Sequence, residues 1–109
     1  MGGNFHTSAQ DIVLKDGHKL KCELKNNSGR TVSASLDLNH YVGNTDGWFK
    51  WNGRDFTRSA KNISLVHGDG GPKLEADLLC ADGSYRARQG LHIADRIENR
   101  NGELVFLHD

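Results

Sequence analysis

The chain is written twice. Moved along itself by 51 positions, Phe5-x-x-Ser8-Ala9-x-x-Ile12-x-Leu14 falls on Phe56-x-x-Ser59-Ala60-x-x-Ile63-x-Leu65. With three residues gained, Leu20, Leu24 and Gly29 meet Leu74, Leu78 and Gly83. With one more gained, Leu36-x-Leu38-x-x-x-Val42-x-Asn44-x-Asp46-Gly47-x-Phe49-x-Trp51 meets Leu91-x-Ile93-x-x-x-Ile97-x-Asn99-x-Asn101-Gly102-x-Leu104-x-Phe106. Two repeats, about 5–52 and 56–107, thus account for nearly all of a 109-residue chain;. A unit of about 50 residues buries too little apolar surface to offset its own chain entropy. The copies are therefore expected to share one core within a single domain spanning 1–109. Positions apolar in both copies define that core: Phe5/Phe56, Ile12/Ile63, Leu20/Leu74, Leu24/Leu78, Leu36/Leu91, Leu38/Ile93, Val42/Ile97, Phe49/Leu104 and Trp51/Phe106.

Local patterning favours strands. Leu20, Cys22 and Leu24 alternate with Lys19, Lys21, Glu23 and Lys25, and Leu74, Ala76 and Leu78 alternate with Lys73, Glu75 and Asp77. A period of two with one polar face indicates a half-buried antiparallel strand. Asp16-Gly17, Ser28-Gly29, Asp46-Gly47, Asp82-Gly83 and Asn101-Gly102 punctuate these runs with hairpin chemistry;. The turns leave no room for long helices, but apolar i, i+4 pairs over Thr7–Asp11, Leu38–Val42, Ser59–Asn62 and Ile93–Ile97 allow single helical turns;. The largest length difference between copies falls at His67–Pro72, which holds the only Pro and is expected to be an exposed, insertion-tolerant loop;.

Composition narrows the function. Lys+Arg and Asp+Glu are 14 each, with no run of like charge, so the footprint of a nucleic-acid or anionic-membrane binder is missing;. No apolar stretch reaches the ~18–20 residues of a membrane span. The N-terminus lacks a basic-then-apolar signal segment, which gives the expectation of a cytoplasmic protein and leaves non-classical export open;. The two cysteines, Cys22 and Cys80, do not fall at equivalent repeat positions and are expected to be free thiols. The six histidines show no metal-ligand spacing, and solvent-facing rings, His6 included, are the default expectation;. No nucleophile elbow, paired-carboxylate spacing or phosphate loop places Ser, His and Asp for catalysis, and no cofactor is implied.

The doubled Leu-x-Leu/Ile-x-x-x-Val/Ile-x-Asn-x-Asp/Asn-Gly-x-Phe/Leu-x-aromatic block, each copy opened by Phe-x-x-Ser-Ala and the two joined by Asn52-Gly53-Arg54-Asp55-Phe56, resembles the cyanovirin-N homology family of mannose-binding lectins. The resemblance implies a mainly β, two-fold pseudosymmetric fold whose repeats exchange strands around short 3-10 helical turns. It places lobe A at about 1–40 plus 96–109 and lobe B at about 41–95. Cyanovirin-N itself carries one disulfide per repeat; the matching positions here are Ala9 with Leu24 and Ala60 with Leu78. Apolar contact replaces a covalent link worth about 2–4 kcal/mol.

The resemblance also implies a non-catalytic carbohydrate-binding protein recognising Manα1-2Man termini of high-mannose glycans, one shallow cleft per lobe. Such a cleft needs side chains that both donate and accept, because each sugar hydroxyl does both. In lobe A the matching residues are Gly3, Asn4, Thr7, Ser8, Lys25, Asn27, Glu98 and Asn99. In lobe B they are Gly43, Asn44, Arg54, Asp55, Arg58, Ser59 and Gly83, with Cys80 and Ala81 where polar side chains normally stand. Lobe A is expected to be the better binder. Because Asn44 repeats Asn99, both also fit a structural role beside the Asp46-Gly47 and Asn101-Gly102 turns, and Arg54, Asp55 and Arg58 also fit a self-neutralising surface. Trp48, opposite Glu103 in the repeat, is expected to be exposed. Two alternatives remain: an interaction module whose sugar clefts have decayed, or a small β-rich glycoside hydrolase using Asp55, His40 or Glu98. A monomer or a dimer swapped at Trp51–Arg54 fits the repeat, with high-mannose oligosaccharides or glycoproteins as partners and no nucleic acid or membrane.

Overall fold

A computed structural model describes residues 3–108; the outermost positions of the expected 1–109 domain lie outside the described residues. Strands β1 (Ala9–Lys15), β2 (Lys19–Lys25) and β3 (Thr31–Asp37) form one antiparallel sheet, and β6 (Ala60–Gly68), β7 (Gly71–Leu79) and β8 (Tyr85–His92) form its repeat. Each is followed by a hairpin: β4 (Val42–Thr45) with β5 (Trp48–Trp51), and β9 (Ile97–Arg100) with β10 (Glu103–Phe106). The hairpin of each repeat packs on the sheet of the other. β10 lies on β3 and β9 on the helical turn Phe5–Ser8, while β5 lies on β8 and β4 on the turn Phe56–Ser59. This exchange gives an elongated body of 50 × 24 × 23 Å.

The alternation in β2 is realised in full: Leu20, Cys22 and Leu24 are buried and Lys19, Lys21 and Lys25 are exposed. Phe5, Phe56, Leu38, Ile93, Val42 and Ile97 are completely buried beside them, and Ile12, Ile63, Leu36, Leu91, Phe49 and Trp51 close the core at its margins. Burying a Leu-sized side chain is worth about 2–3 kcal/mol, so these paired positions supply much of the driving force. At the positions that the resemblance matched to cyanovirin-N's disulfides, Ala9 faces Leu24 and Ala60 faces Leu78 across the strands. Cys22 and Cys80 are both free thiols, and burial, with Glu23 nearby, pushes the Cys22 thiol up to about 11.

Three expectations need correction. The first and third helical turns run over Phe5–Ser8 and Phe56–Ser59, starting earlier than the apolar spacing suggested, because Ala9 and Ala60 are already committed to pairing with Leu24 and Leu78. The second and fourth are shorter than expected, Leu38–His40 and Ile93–Asp95, since Val42 and Ile97 open strands. The loop expected at His67–Pro72 is a tight hairpin whose exposed tip is Asp69-Gly70, and Gly71 and Pro72 are buried. Nor is His6 a free surface ring: it is half-buried, its Nδ1 is buried without a hydrogen-bond partner, and its ring packs so closely on Gly71 that a Cβ there would lie 2.8 Å from it.

Candidate functional site

Each lobe has a notch where a helical turn, a hairpin turn of the three-stranded sheet and the exchanged hairpin converge. In the first, one side chain ties the three together. Asn99 Nδ2 donates to Ser8 Oγ and to the Lys25 carbonyl, both at 2.8 Å, and Asn99 Oδ1 accepts from the Gly102 amide at 2.8 Å. Asn44 does the same in the second notch, donating to Ser59 Oγ at 2.8 Å and the Leu79 carbonyl at 3.0 Å and accepting from the Gly47 amide at 2.8 Å. A side-chain amide has two donors, and both are spent here. Of the two roles the sequence allowed for these asparagines, the geometry displays the structural one.

The same accounting sorts the remaining first-notch residues. Gly3 is required by a close approach: a Cβ on it would lie 2.3 Å from the Ile97 carbonyl oxygen. Ser8 is held by Asn99, and Glu98 accepts from Arg100 Nε at 2.8 Å. Thr7 Oγ1 donates to the Asn4 carbonyl at 3.0 Å and keeps its acceptor capacity. Asn4 sits in the left-handed region at φ 52, a conformation asparagine tolerates, with its amide donating to the Ala94 carbonyl at 2.8 Å;. The Asn27 amide donates to Asn101 Oδ1 at 2.9 Å, which docks the β2–β3 turn onto the β9–β10 turn. Asn4, Lys25 and Asn27 are exposed, and their side-chain polar groups make no hydrogen bond among the described residues.

The second notch keeps the frame and changes the rim. Asp55 occupies the Asn4 position with φ 57, its amide on the Asn39 carbonyl at 2.8 Å, and the Ala81 amide donates to Asp46 Oδ1 at 2.8 Å as Asn27 does to Asn101. The close approach at Gly3 recurs with its sides exchanged. Gly43 now supplies the glycine, its Cβ position 3.0 Å from the Arg54 amide, and Arg54 projects where the first notch has no side chain. Arg54, Asp55 and Arg58 are exposed and form no ion pair with one another among the described residues. Gly83 lies at φ 89 in the exposed β7–β8 turn. Cys80 and Ala81 leave this rim without amides, as the sequence indicated. The carboxylates and imidazole of the hydrolase alternative are partly occupied elsewhere: Glu98 by Arg100, and His40 by Asp37 at 3.7 Å.

Both lobes open further than these sets describe. Beside Thr7, Ser8 and Lys25 lies a cleft of about 310 Å³ that also borders Ala9, Leu24, Gln10, Glu23 and Thr31. The last three were not singled out from the sequence. Period-two alternation marks Glu23 as outward, but the pairing of Gln10 with Glu23 depends on a bulge in β1, with Asp11 at φ 55, that no local motif announces. In the second lobe a larger opening of about 620 Å³ lies between Asp46 and the Cys80–Ala87 stretch, away from Arg54, Asp55, Arg58 and Ser59. Trp48, 53% exposed, stands beside it with the Arg86 guanidinium 4.1 Å over its ring.

The chain matches the family described as CVNH domain over residues 5–105. It belongs to the cyanovirin-N homology family. This CVNH chain is 36% identical over 104 residues to a cyanovirin-N homolog of Tuber borchii, covering 94% of this chain and 98% of that one. It superposes on the NMR structure of a Gibberella zeae CVNH with a TM-score of 0.89 at 44% identity, covering 96% of this chain and 98% of the other. The crystal structure of a MoCVNH3 variant in complex with (N-GlcNAc)4 is similar at a TM-score of 0.85 and 28% identity, covering 95% and 97%. Membership makes the CVNH chain a carbohydrate-binding lectin, with both repeats contributing to each notch.

Proposed function

We propose that the protein binds terminal Manα1-2Man units of high-mannose glycans in the first-lobe notch, without catalysing any reaction on them. The observation that carries this reading is the unspent polar set Asn4, Lys25 and Asn27, with the Thr7 hydroxyl, on a frame pinned by Asn99. Side-chain amides and a hydroxyl acceptor without a partner in the protein pair with sugar hydroxyls without breaking an existing bond, on a backbone frame that Asn99 already holds;. An oligosaccharide as the ligand class is supported by the sugar complex of the MoCVNH3 variant. The second notch, with Arg54 and Arg58 at its rim and Cys80 and Ala81 in place of polar side chains, is the weaker one. A chain with one working notch cannot cross-link glycans as a monomer, so avidity on a multivalent surface requires a dimer or a fused second binder.

Titrating 15N-labelled protein with α1-2 mannobiose tests the proposal. Saturable shifts at Asn4, Thr7, Lys25 and Asn27, with Gly43, Arg54 and Asp55 unmoved at the same ligand concentration, are expected. Absence of saturable shifts in either lobe would overturn it and leave an interaction module with decayed clefts; release of free mannose would instead indicate a hydrolase.

A further inference from the structure

The outer faces of the two three-stranded sheets carry their cations differently. In the first sheet Lys15 stands directly opposite Lys19, and Lys21, opposite Val13, follows two residues along β2 on the same face; all three are exposed. The Cβ atoms of directly opposed residues lie about 5 Å apart, and next-but-one neighbours on a strand about 7 Å apart, so the three lysines share one small patch. Opposed like charges destabilise a strand pair. Register matches these positions to Val66, opposite Lys73, and to Glu75, opposite Ser64, in the second sheet. There the charge is compensated: Lys73 Nζ lies 3.1 Å from Glu75 Oε2, Arg88 Nε lies 3.3 Å from Glu75 Oε1, and the Lys61 ammonium stands 4.0 Å over the Tyr85 ring. In the first sheet the neighbouring carboxylates are engaged elsewhere. Asp37, opposite Lys19, is hydrogen-bonded to His18 Nδ1 at 2.8 Å and to the Asn39 amide at 3.0 Å, and Glu23 accepts from Ser33 Oγ at 2.9 Å. Lys15, Lys19 and Lys21 form no ion pair among the described residues, with Asp16 of the adjoining turn or with any other acid.

Three cations without a counter-charge, at a cost to the sheet that the second repeat avoids, make a place for one compact anion. A phosphate or sulfate ester has the fitting chemistry: negative charge and three acceptor oxygens on one tetrahedral centre, met by ammoniums that only donate. The patch is too small, and too closely bordered by Asp16, Glu23 and Asp37, for the long phosphate track of a nucleic acid;. β2 runs from it to Lys25 at the mannose notch, about 14 Å beyond Lys21 at roughly 3.4 Å per residue, a span within reach of an oligosaccharide. We propose that Lys15, Lys19 and Lys21 form an anion subsite for a phosphate or sulfate ester carried by a glycan whose mannose end sits in the first notch, and that the second repeat, with Val66 and Glu75 in place of two of the lysines, has none. The inference rests on the lectin reading and extends it. Strand alternation puts these lysines on every second residue or across a turn, so no run of like charge in the sequence shows them.

The test titrates the labelled protein at low salt with an α1-2-linked mannotetraose bearing one phosphomonoester on its reducing-end residue, with the same oligosaccharide after phosphatase treatment, and with inorganic phosphate. The Lys15, Lys19 and Lys21 amides are expected to shift with the phosphorylated sugar and not with the dephosphorylated one. The phosphorylated sugar is expected to bind roughly tenfold tighter, the worth of three exposed charge pairs, with an advantage that fades as salt is raised. Equal affinity of the two sugars at low salt overturns the subsite. Inorganic phosphate binding as tightly as the phosphorylated sugar overturns its placement on a glycan, and retention on phosphatidylserine vesicles that is lost in Lys15→Val assigns the patch to a membrane and overturns it too. Shifts at the three lysines with the phosphorylated sugar, but none at Asn4, Thr7 or Asn27 with either sugar, count against the mannose notch and for the subsite. Two variants sharpen the result. Lys15→Val with Lys21→Glu imports the second repeat's arrangement and is expected to bring the affinity ratio of the two sugars to about one, and Lys21→Gln to lower it about threefold. A ratio that stays near its native value in variants with native spectra overturns the assignment.

Discussion

In the first lobe Asn99, and in the second Asn44, hold three pieces of backbone with the same hydrogen bonds, at matching distances. Around these clamps the openings have diverged. The first has unspent side-chain amides at Asn4 and Asn27 and an open cleft; the second has Arg54 and Arg58 at its rim, the Lys61 ammonium over the Tyr85 ring, and a wide recess beside Trp48. A repeat tolerates change at its rim as long as the clamp and core stay duplicated, because each lobe is built from both copies and neither can loosen alone. Binding can thus be lost or altered in one lobe without cost to the fold.

The comparison breaks first, if it breaks, at the matched core. Leu24→Ala and Leu78→Ala each remove a fully buried side chain facing a small Ala, and each is expected to cost about 2–5 kcal/mol in denaturant unfolding;. A much smaller loss at one site would show that the lobes are not equally dependent on their cores. Next come the clamps: Asn99→Ala and Asn44→Ala are each expected to lose about 1–3 kcal/mol, alike in both lobes. If Asn99→Ala abolished sugar binding at undiminished stability, Asn99 would be a ligand and the structural assignment would fail.

Acid separates the lobes more gently. In the second repeat Lys73 holds the Glu75 carboxyl below its ordinary 4.5, and Asn62 and Ser84 hold Asp77 and Asp82 below 3.8. In the first repeat Asp37 is so held: partial burial opposes ionisation, but hydrogen bonds from His18 at 2.8 Å and the Asn39 amide, with His40 nearby, outweigh it. Carboxyls lowered in the folded state stabilise it above their ordinary values, and that contribution is lost as pH falls through the folded ones. Stability is therefore expected to hold from pH 7 to about 4.5 and to decline below, with amide-exchange protection falling in β6–β8 before β1–β3;. Simultaneous loss would show that the exchange of hairpins couples the sheets too tightly for local charge to matter. The smallest effect is expected at Trp48→Ala, which removes an exposed ring under Arg86 and changes stability by about 0.5–1 kcal/mol, measurable by chemical denaturation;.

Much of this was legible along the chain. Phe5/Phe56 and Leu24/Leu78 declared themselves by recurring, and Asp46-Gly47 and Asn101-Gly102 announced the exchanged hairpins through turn chemistry. What stayed hidden involved residues far apart in sequence that meet only after the hairpins have crossed. His6 looked like a surface histidine because nothing near it in sequence shows Gly71 lying against its ring. Asn99 fitted a ligand as well as a clamp until Ser8 and Lys25 took both its donors. Gln10, Glu23 and Thr31 belong to three strands, and the bulge at Asp11 sets the register of Gln10 against Glu23.

The sequence by itself determined the duplicated core, the strand period and the hairpin turns, since each follows from spacing within a few residues or from identity between copies. Tertiary structure alone decided which polar groups remain free. Hydrogen-bonding capacity is consumed pairwise by whatever partner folding brings within about 3 Å, and a one-dimensional pattern does not contain those partners.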